Sequence, residues 1–214
     1  MSGSFPVVLT LHGFPRSSNA LKVRFLLEEL GLTYEHELVP VEEPRPTEFL
    51  ALNPIGTVPT LVDEQLVLSE SHAIMRYLIR REGRPDLYGP TQAEAAHIDE
   101  WLDRLTTVLR PAFFRHESVA LGYVRGSGFH PEQGDPEAAL DRAAKIAPTL
   151  RTFDALVRAN GTVLGRFSIA DCAVAPVLYR TTHSGLDLEP YPNLLRLREA
   201  LIARPAFIAA GPVL

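Results

Sequence analysis

NPIGTVPTLVDEQLVLSES, residues 53–71, is the segment of the chain that says most about the fold. Two short apolar runs, 60–62 and 66–68, flank the turn residues Asp-Glu-Gln, which predicts two strands joined by a tight turn. A helix is predicted from about 70 to 81. Because a proline precedes the first strand, and a carboxylate and a hydroxyl begin the helix, the segment is typical of a receptor for an extended peptide.

The Val58-Pro59 step has two interpretations. An X-Pro bond can be cis at modest cost, usually in a tight turn. Such a turn before a strand would leave the backbone N–H and C=O of Val58 free to pair with a bound peptide. The alternative is an ordinary trans proline at the start of a strand. The local residues leave both interpretations open.

The Glu70-Ser71 pair also has two interpretations. Helix N-termini bind anions through exposed N–H groups and the helix dipole. Ser71 would supply a hydroxyl and an N–H to a carboxylate, and Glu70 would pair with an ammonium group, so together they suit a free amino-acid end. The alternative is plain capping of the helix by Ser69 or Glu70.

Ser17 and Ser18 stand where the first predicted strand, 7–11, leads into the first predicted helix, 17–30. Either can cap the helix, and a hydroxyl there can also donate a hydrogen bond to a thiolate. Lowering the pKa of a thiol by two units requires about 2.7 kcal/mol. One charge-assisted hydrogen bond supplies about 1.5–3 kcal/mol. A serine is therefore sufficient to activate a ligand thiol, with capping alone as the alternative.

The pattern of elements predicts two domains. Residues 1–81 alternate strand-like and helical patterns in the order β-α-β-α-β-β-α. Residues 82–91 are rich in glycine and proline and indicate a linker, and residues 92–214 are predicted to be all-helical. A mixed α/β part followed by an all-α part favours two domains. Helices are expected at 92–116, 136–160, 168–182 and 193–203, with a glycine-rich loop at 118–135.

The charges of the chain argue against a nucleic-acid partner. The 214 residues carry a net charge of −5, and no cluster of lysines and arginines follows a pattern suited to a phosphate backbone. Lys22 and Arg24 fall on a predicted helix beside Glu28 and Glu29. We expect them to be solvated helix charges and not a binding patch.

The single cysteine, Cys172, excludes a disulfide framework within one chain. It follows the segment SIAD, residues 168–171, which is a variant capping box before an apolar helix, so we expect it to be buried. The seven histidines show no metal-ligand spacing, and no metal is expected. No signal-peptide pattern and no apolar run of about 18 residues is present, so we expect a cytoplasmic protein without a membrane span.

Taken in this order, the motifs resemble the cytosolic glutathione transferase family. The strongest part is residues 9–81, where NPIGTVP at 53–59 and ESHAI at 70–74 are similar to the family's patterns, and SIAD is a second anchor. The resemblance implies a thioredoxin-like α/β N-terminal domain and an all-α C-terminal helical domain. It also implies glutathione as co-substrate and, usually, a homodimer.

Carried over residue by residue, the resemblance implies a role for each motif. Ser17, with Ser18 as the fallback, would activate the thiol, because RSSNALKV at 16–23 is similar to segments of the serine-type zeta and phi classes. Val58 would pair with the cysteinyl part of glutathione, and Arg45 would take the glycyl carboxylate. The implied glutathione-binding residues are Arg45, Thr57, Val58, Pro59, Glu70 and Ser71.

Three positions depart from the family's patterns. Asn19 replaces the zeta-class cysteine, Thr57 stands where glutamine is frequent, and Pro44 stands where phi members carry a histidine. The class within the family is therefore left open.

The reaction implied by the resemblance is conjugation of glutathione to a small, apolar electrophile held between the domains. The alternatives are another glutathione-dependent enzyme, such as a zeta-like isomerase, a peroxidase or a dehalogenase, and a non-catalytic ligand-binding module. Pro111 is expected to interrupt the helix that borders the acceptor site. Phe113 and Phe114 on that helix suit an apolar acceptor, but a pair of adjacent phenylalanines is also common in hydrophobic cores. The acceptor-site candidates are Phe14, Pro15, Arg110, Phe113, Phe114 and Glu117.

Overall fold

The computed structural model describes residues 9–41, 44–124 and 127–213. A four-stranded mixed sheet organises the N-terminal part, in the order β2-β1-β3-β4. β1 is parallel to β2 and antiparallel to β3, and β3 is antiparallel to β4. The elements are β1 Leu9–Gly13, α1 Ser18–Glu29, β2 Tyr34–Leu38, α2 Thr47–Leu52, β3 Thr60–Asp63, β4 Leu66–Ser69 and α3 Ser71–Arg81.

The order of these elements is the one that the sequence predicts. The first strand was expected at 7–11, of which residues 7 and 8 lie outside the described residues, and it continues to Gly13. The strand pair of the quoted segment forms as expected, with Thr60 opposite Ser69 and Asp63 opposite Leu66.

The C-terminal part is helical, as predicted. Its elements are α4 Gln92–Arg104, α5 Arg110–Ala120, α6 Pro136–Leu156, α7 Ile169–Ser184, α8 Pro192–Ile202 and α9 Pro205–Ala209. The segment 118–135, expected to be a loop, contains regular structure: β5 Tyr123–Val124 pairs with β6 Gly128–Phe129, and a 3-10 turn follows at Pro131–Gln133. Strands of two residues are too short to show a periodic pattern in the sequence.

The α-helix is interrupted just before Pro111, as expected, although the chain stays helical there. Between α4 and α5 the chain forms a π-helical segment, Leu105–Leu109, in which the N–H of Arg110 donates to the carbonyl of Leu105. A proline has no N–H for the usual bond four residues back, and a wider turn absorbs that mismatch. The π-helical segment therefore joins α4 and α5 into one continuous helical stretch.

α1 joins the two parts of the molecule because it packs against α3 on one side and against α7 and α9 on the other. Its residues from Leu21 to Leu27 are all buried. The expectation that Lys22 and Arg24 are solvated is wrong, since they are 3% and 6% exposed. A helix covered on both sides leaves no solvent face for its charges, and periodicity along one helix does not reveal a second partner.

The capping box predicted before α7 is confirmed. The carboxylate of Asp171 accepts hydrogen bonds from the backbone N–H of Ser168 at 2.8 Å, from its hydroxyl at 3.0 Å, and from the N–H of Val163 at 2.7 Å. Cys172, next to it, is fully buried, and burial raises the pKa of its thiol. One carboxylate thus fixes both the start of α7 and the loop before it.

Replacing Asp171 with alanine should lower the free energy of unfolding by about 2–4 kcal/mol, because three buried donors lose their acceptor. Urea denaturation measures this. The control is Asp103→Ala, an exposed acid on α4, which should change the value by less than about 0.5 kcal/mol. Equal midpoints for the two variants would contradict the structural role of Asp171.

Candidate functional site

A cleft of about 230 Å³ lies where the carboxyl end of β1, the start of α1 and the N-terminal half of α5 meet. It therefore contains residues of both predicted domains. The lining from the N-terminal part is Phe14, Arg16, Ser17, Ser18, Asn19, Val41, Arg45 and Val58; the lining from the helical part is Arg110, Phe114, Tyr123, Gly128, Phe129 and Arg180.

A larger groove, of about 570 Å³, lies between α5, α6 and the end of α7. Alanines of α6 and the loop after α7 form most of its walls, and none of the site residues predicted from the sequence lines it. Size alone does not make a reactive site, and the smaller cleft is the one that brings together Ser17, Arg45 and Val58. The other residues of the predicted glutathione-binding set do not line it; they are Thr57, Pro59, Glu70 and Ser71.

Ser17 is the N-cap of α1. Its hydroxyl oxygen accepts a hydrogen bond from the N–H of Ala20 at 3.3 Å, and its own N–H donates to the carbonyl of Phe14 at 2.9 Å. Capping uses a lone pair of the oxygen, so the hydroxyl hydrogen is still able to donate into the cleft. The capping and thiol-activating interpretations are therefore compatible. Ser18, the first residue of α1, also lines the cleft but is buried.

Val58 lies just outside the sheet. The Val58-Pro59 bond is cis, and the pairing of β3 with β1 begins only at Thr60, opposite His12. In the turn and loop backbone bonds of the described residues, Val58 neither donates nor accepts. Its peptide groups are thus available to a ligand that lies along the cleft.

The turn before Val58 is held by Asn53, which sequence reasoning did not single out. Its buried side-chain amide donates to the carbonyl of Thr57 at 2.8 Å and to the hydroxyl of Thr60 at 3.2 Å. Gly56 adopts a φ of 73°, a conformation that favours glycine. Thr57 itself is exposed, and its carbonyl is occupied by Asn53.

Glu70 precedes α3 with a φ of 71°, which is rare for a residue other than glycine. Among the residues that the structure describes, no side chain caps this helix, so the alternative of plain capping by Ser69 or Glu70 is wrong. Strained backbone of this kind is concentrated at functional sites. Ser71 begins the helix and is 7% exposed, so the N-terminus of α3 carries a hydroxyl beside its unpaired N–H groups.

Arg45 reaches the cleft from the turn before α2. Its Nε donates to the carbonyl of Gly56 at 3.3 Å. Its Nη1 is buried and has no hydrogen-bond partner within the described part of the chain. Such a guanidinium is suited to an anion bound in the cleft.

The acceptor-site candidates occupy different environments. Phe14, Arg110 and Phe114 line the cleft, whereas Phe113 is 2% exposed and belongs to the core. Pro15 does not line the cleft, and its carbonyl accepts from Arg24 at 3.0 Å.

Behind the cleft, Glu117 is buried and forms ion pairs with Arg110 at 2.7 Å and with Arg180 at 3.0 Å. Sequence reasoning missed Arg180. The signal for it was an arginine inside the otherwise apolar helix α7.

A buried lysine of α1, Lys22, lies near the start of α3. Burial, joined by the nearby charge of Arg110 and partly opposed by Glu70, lowers the pKa of Lys22 to about 7. Its Nζ lies 3.4 Å from Nε2 of His72. Burial, Lys22 and Arg76 together lower the pKa of His72 to about 3. The proton of this pair therefore resides on Lys22.

Two further properties concern metals and membranes. Within 9–41, 44–124 and 127–213, no group of three or more His, Cys, Asp or Glu side chains is placed to hold a metal ion. None of the helices in these ranges combines the length and apolar character needed to span a membrane.

Comparison with known proteins identifies two domain models. Residues 11–86 match the model described as "Glutathione S-transferase, N-terminal domain", and residues 136–200 match "Glutathione S-transferase, C-terminal domain". Glutathione S-transferase GstB of Escherichia coli is 37% identical over 205 residues, which cover 93% of this chain and 95% of that protein. Glutathione S-transferase 3 of Zea mays is 32% identical over 236 residues, covering 96% and 95%.

Solved structures agree with these relatives. The theta-class glutathione S-transferase of Xanthomonas axonopodis pv. citri, solved with glutathione bound, superposes with a TM-score of 0.81 at 27% identity. The match covers 97% of this chain and 99% of that one. The expected fold, a thioredoxin-like domain followed by a helical domain, is thereby confirmed.

The depressed pKa of Lys22 predicts how stability depends on pH. Between pH 7 and about 10.4, the ordinary lysine value, the unfolded chain holds more protons at this residue than the folded one. The contribution of this residue therefore increases the free energy of unfolding as pH rises. Lys22→Met removes this titrating group and the cost of burying it, so the variant should be more stable than the wild type at pH 7.

The stability difference between Lys22→Met and the wild type should shrink by about 1 kcal/mol per pH unit between pH 7.5 and 9.5. Urea unfolding at three pH values measures it. Lys145→Met, at an exposed lysine of α6 paired with Asp141, is the control and should show no such trend. A constant offset for Lys22→Met across this range would show that Lys22 is not titrating there.

Proposed function

This chain belongs to the glutathione S-transferase family, and we propose that glutathione, its co-substrate, binds in the cleft at the start of α1. The enzyme transfers a group from an electrophile to the sulfur of glutathione. The observation that carries the proposed site is the meeting of the Ser17 cap with Val58, whose peptide groups lie beyond the sheet, in one cleft.

Ser17 activates the thiol. Its hydroxyl hydrogen donates to the sulfur, while the hydrogen bond from Ala20 to its oxygen fixes its orientation. A donor held in advance loses little entropy when the thiolate forms. The charge-assisted bond supplies about 1.5–3 kcal/mol, and the N-terminus of α1 adds about 0.3–1 kcal/mol. These magnitudes cover the roughly 2.7 kcal/mol that a two-unit decrease in pKa requires.

The rest of glutathione extends in two directions from the sulfur. Val58 pairs with the cysteinyl backbone through its free peptide groups. Toward α3, Ser71 and the helix N-terminus take the γ-glutamyl carboxylate, and Glu70 takes the ammonium group. Toward α2, Nη1 of Arg45, which is buried without a partner in the described ranges, takes the glycyl carboxylate.

The electrophile lies on the helical side of the cleft. Phe114, Tyr123 and Phe129 form an aromatic cluster there, with ring centroids 5.0 and 5.3 Å apart in the two pairs that Tyr123 makes. Flat aromatic walls of this kind support a small acceptor with an apolar ring. A cytoplasmic homodimer with a role in detoxification is the further expectation from the family resemblance and stays a prediction.

Ser17→Ala should lower kcat/KM with 1-chloro-2,4-dinitrobenzene about 10–100-fold and raise the pKa of the pH–rate profile by about 1–2 units, because the thiolate loses its donor. The affinity for S-hexylglutathione, measured by calorimetry, should be nearly unchanged, since that ligand has no thiol to ionise.

Ser18→Ala is the matched control and should keep both the rate and the pKa. If instead Ser18→Ala alone changes them, the activating residue is Ser18. Unchanged values for both variants would exclude a serine from thiol activation.

A further inference from the structure

The cleft is strongly cationic. Arg16, Arg45, Arg110 and Arg180 all line it, and none of the carboxylates that the structure describes does. A cleft built only for a neutral electrophile has no need of guanidinium groups beyond those that hold glutathione.

Arg110 and Arg180 form a cluster with an unbalanced charge. Both ion-pair with the same oxygen, Oε1 of Glu117, at 2.7 and 3.0 Å. One carboxylate between two guanidinium groups leaves one net positive charge. Nη1 of Arg110 and Oε2 of Glu117 are both buried and have no hydrogen-bond partner within the described residues. Since these two atoms belong to one ion pair, the feature that calls for a ligand anion is the net positive charge of the cluster.

The two guanidinium groups are also held in place. Arg110 stacks over the ring of Phe114 at 4.9 Å, and Arg180 stacks over Phe129 at 4.7 Å. Arg180 donates in addition to the backbone carbonyl of Arg16, in the turn that leads to Ser17. The cluster is therefore fixed from both parts of the molecule, and little side-chain entropy is lost when an anion binds.

Glutathione does not use this charge in the arrangement proposed above. Its glycyl carboxylate is assigned to Arg45, its sulfur to Ser17 and its γ-glutamyl end to the start of α3. The charge of the Arg110–Arg180–Glu117 cluster thus faces the acceptor. A neutral apolar acceptor would cover these groups without pairing them, which disfavours binding.

We propose that the electrophile of this enzyme carries a carboxylate, which Arg110 and Arg180 bind while the aromatic cluster holds its body; this rests on the proposed glutathione site. A planar carboxylate matches the fork of a guanidinium. In the reaction, the thiolate forms a C–S bond at the activated carbon, and the leaving group departs with the electron pair of its former bond to that carbon.

A matched pair of electrophiles tests this proposal: 4-chloro-3-nitrobenzoate and the neutral 4-chloro-3-nitrobenzamide. In both, sulfur adds at the carbon that bears chlorine, and chloride leaves. Each kcat/KM is divided by the rate constant of the uncatalysed reaction with glutathione, which removes the difference in intrinsic reactivity. The wild type should prefer the carboxylate at least tenfold, and 0.5 M NaCl should reduce that preference.

Arg110→Gln should lower kcat/KM for 4-chloro-3-nitrobenzoate at least tenfold and change kcat/KM for 4-chloro-3-nitrobenzamide less than threefold. Arg110→Lys should restore part of the preference, since it keeps the charge without the planar fork. Arg115→Gln, at an exposed position on the same helix, is the matched control and should behave as the wild type. Equal enhancement of both electrophiles by the wild type would overturn the proposal.

Binding provides a readout that does not depend on turnover or on the leaving group. Calorimetry compares S-(4-carboxybenzyl)glutathione with S-(4-carbamoylbenzyl)glutathione, and the wild type should bind the carboxylate at least tenfold more tightly. If glutathione binds and the two conjugates bind equally, the carboxylate proposal fails while the glutathione site stands. If glutathione itself does not bind, both fail.

Discussion

The site depends on the burial of α1 between two layers. This helix packs on α3 beside the sheet and also on α7 and α9 of the helical part, with Phe25 in edge contact with both Phe167 and Phe207. Because the buried side chains of α1 belong to a hydrophobic core that continues through both parts, the N-terminus of α1 is held where the two parts meet. Ser17 caps that end, so the hydroxyl proposed to meet the sulfur is positioned by the packing that joins the two parts.

This packing has an electrostatic consequence. Covering both sides of α1 places Lys22 and Arg24 out of solvent, and burial lowers the pKa of each. The guanidinium of Arg24 donates to the carbonyls of Pro15 and Gly211, whereas Nζ of Lys22 lies beside the ring of His72. The folded state thus tolerates a lysine that is readily deprotonated next to Glu70. A ligand ammonium at Glu70 and a charged Lys22 would compete for the same carboxylate, which makes the protonation of Lys22 relevant to glutathione binding.

Local motifs were predictable from the sequence because their physics is local. The strand pair of 53–71 and the capping box at Ser168 each depend on residues a few positions apart. The comparison with known proteins then confirmed the fold that their resemblance implied.

What the sequence did not reveal depends on tertiary contacts. Phe113 and Phe114 are adjacent and chemically identical, yet one is core and the other lines the cleft, because successive residues of a helix face different neighbours. Arg180 reaches the cleft from a helix more than sixty residues away in the chain from Glu117, so no local pattern could pair them. The cationic character of the acceptor side therefore became visible only in three dimensions.

The most direct test of this account is a crystal structure of the protein with glutathione. The account predicts the sulfur within hydrogen-bonding distance of the Ser17 hydroxyl. It also predicts the cysteinyl backbone paired with Val58 and the γ-glutamyl carboxylate at the start of α3. Glutathione bound in the 570 Å³ groove, or bound in the cleft with its sulfur directed away from both Ser17 and Ser18, would contradict it.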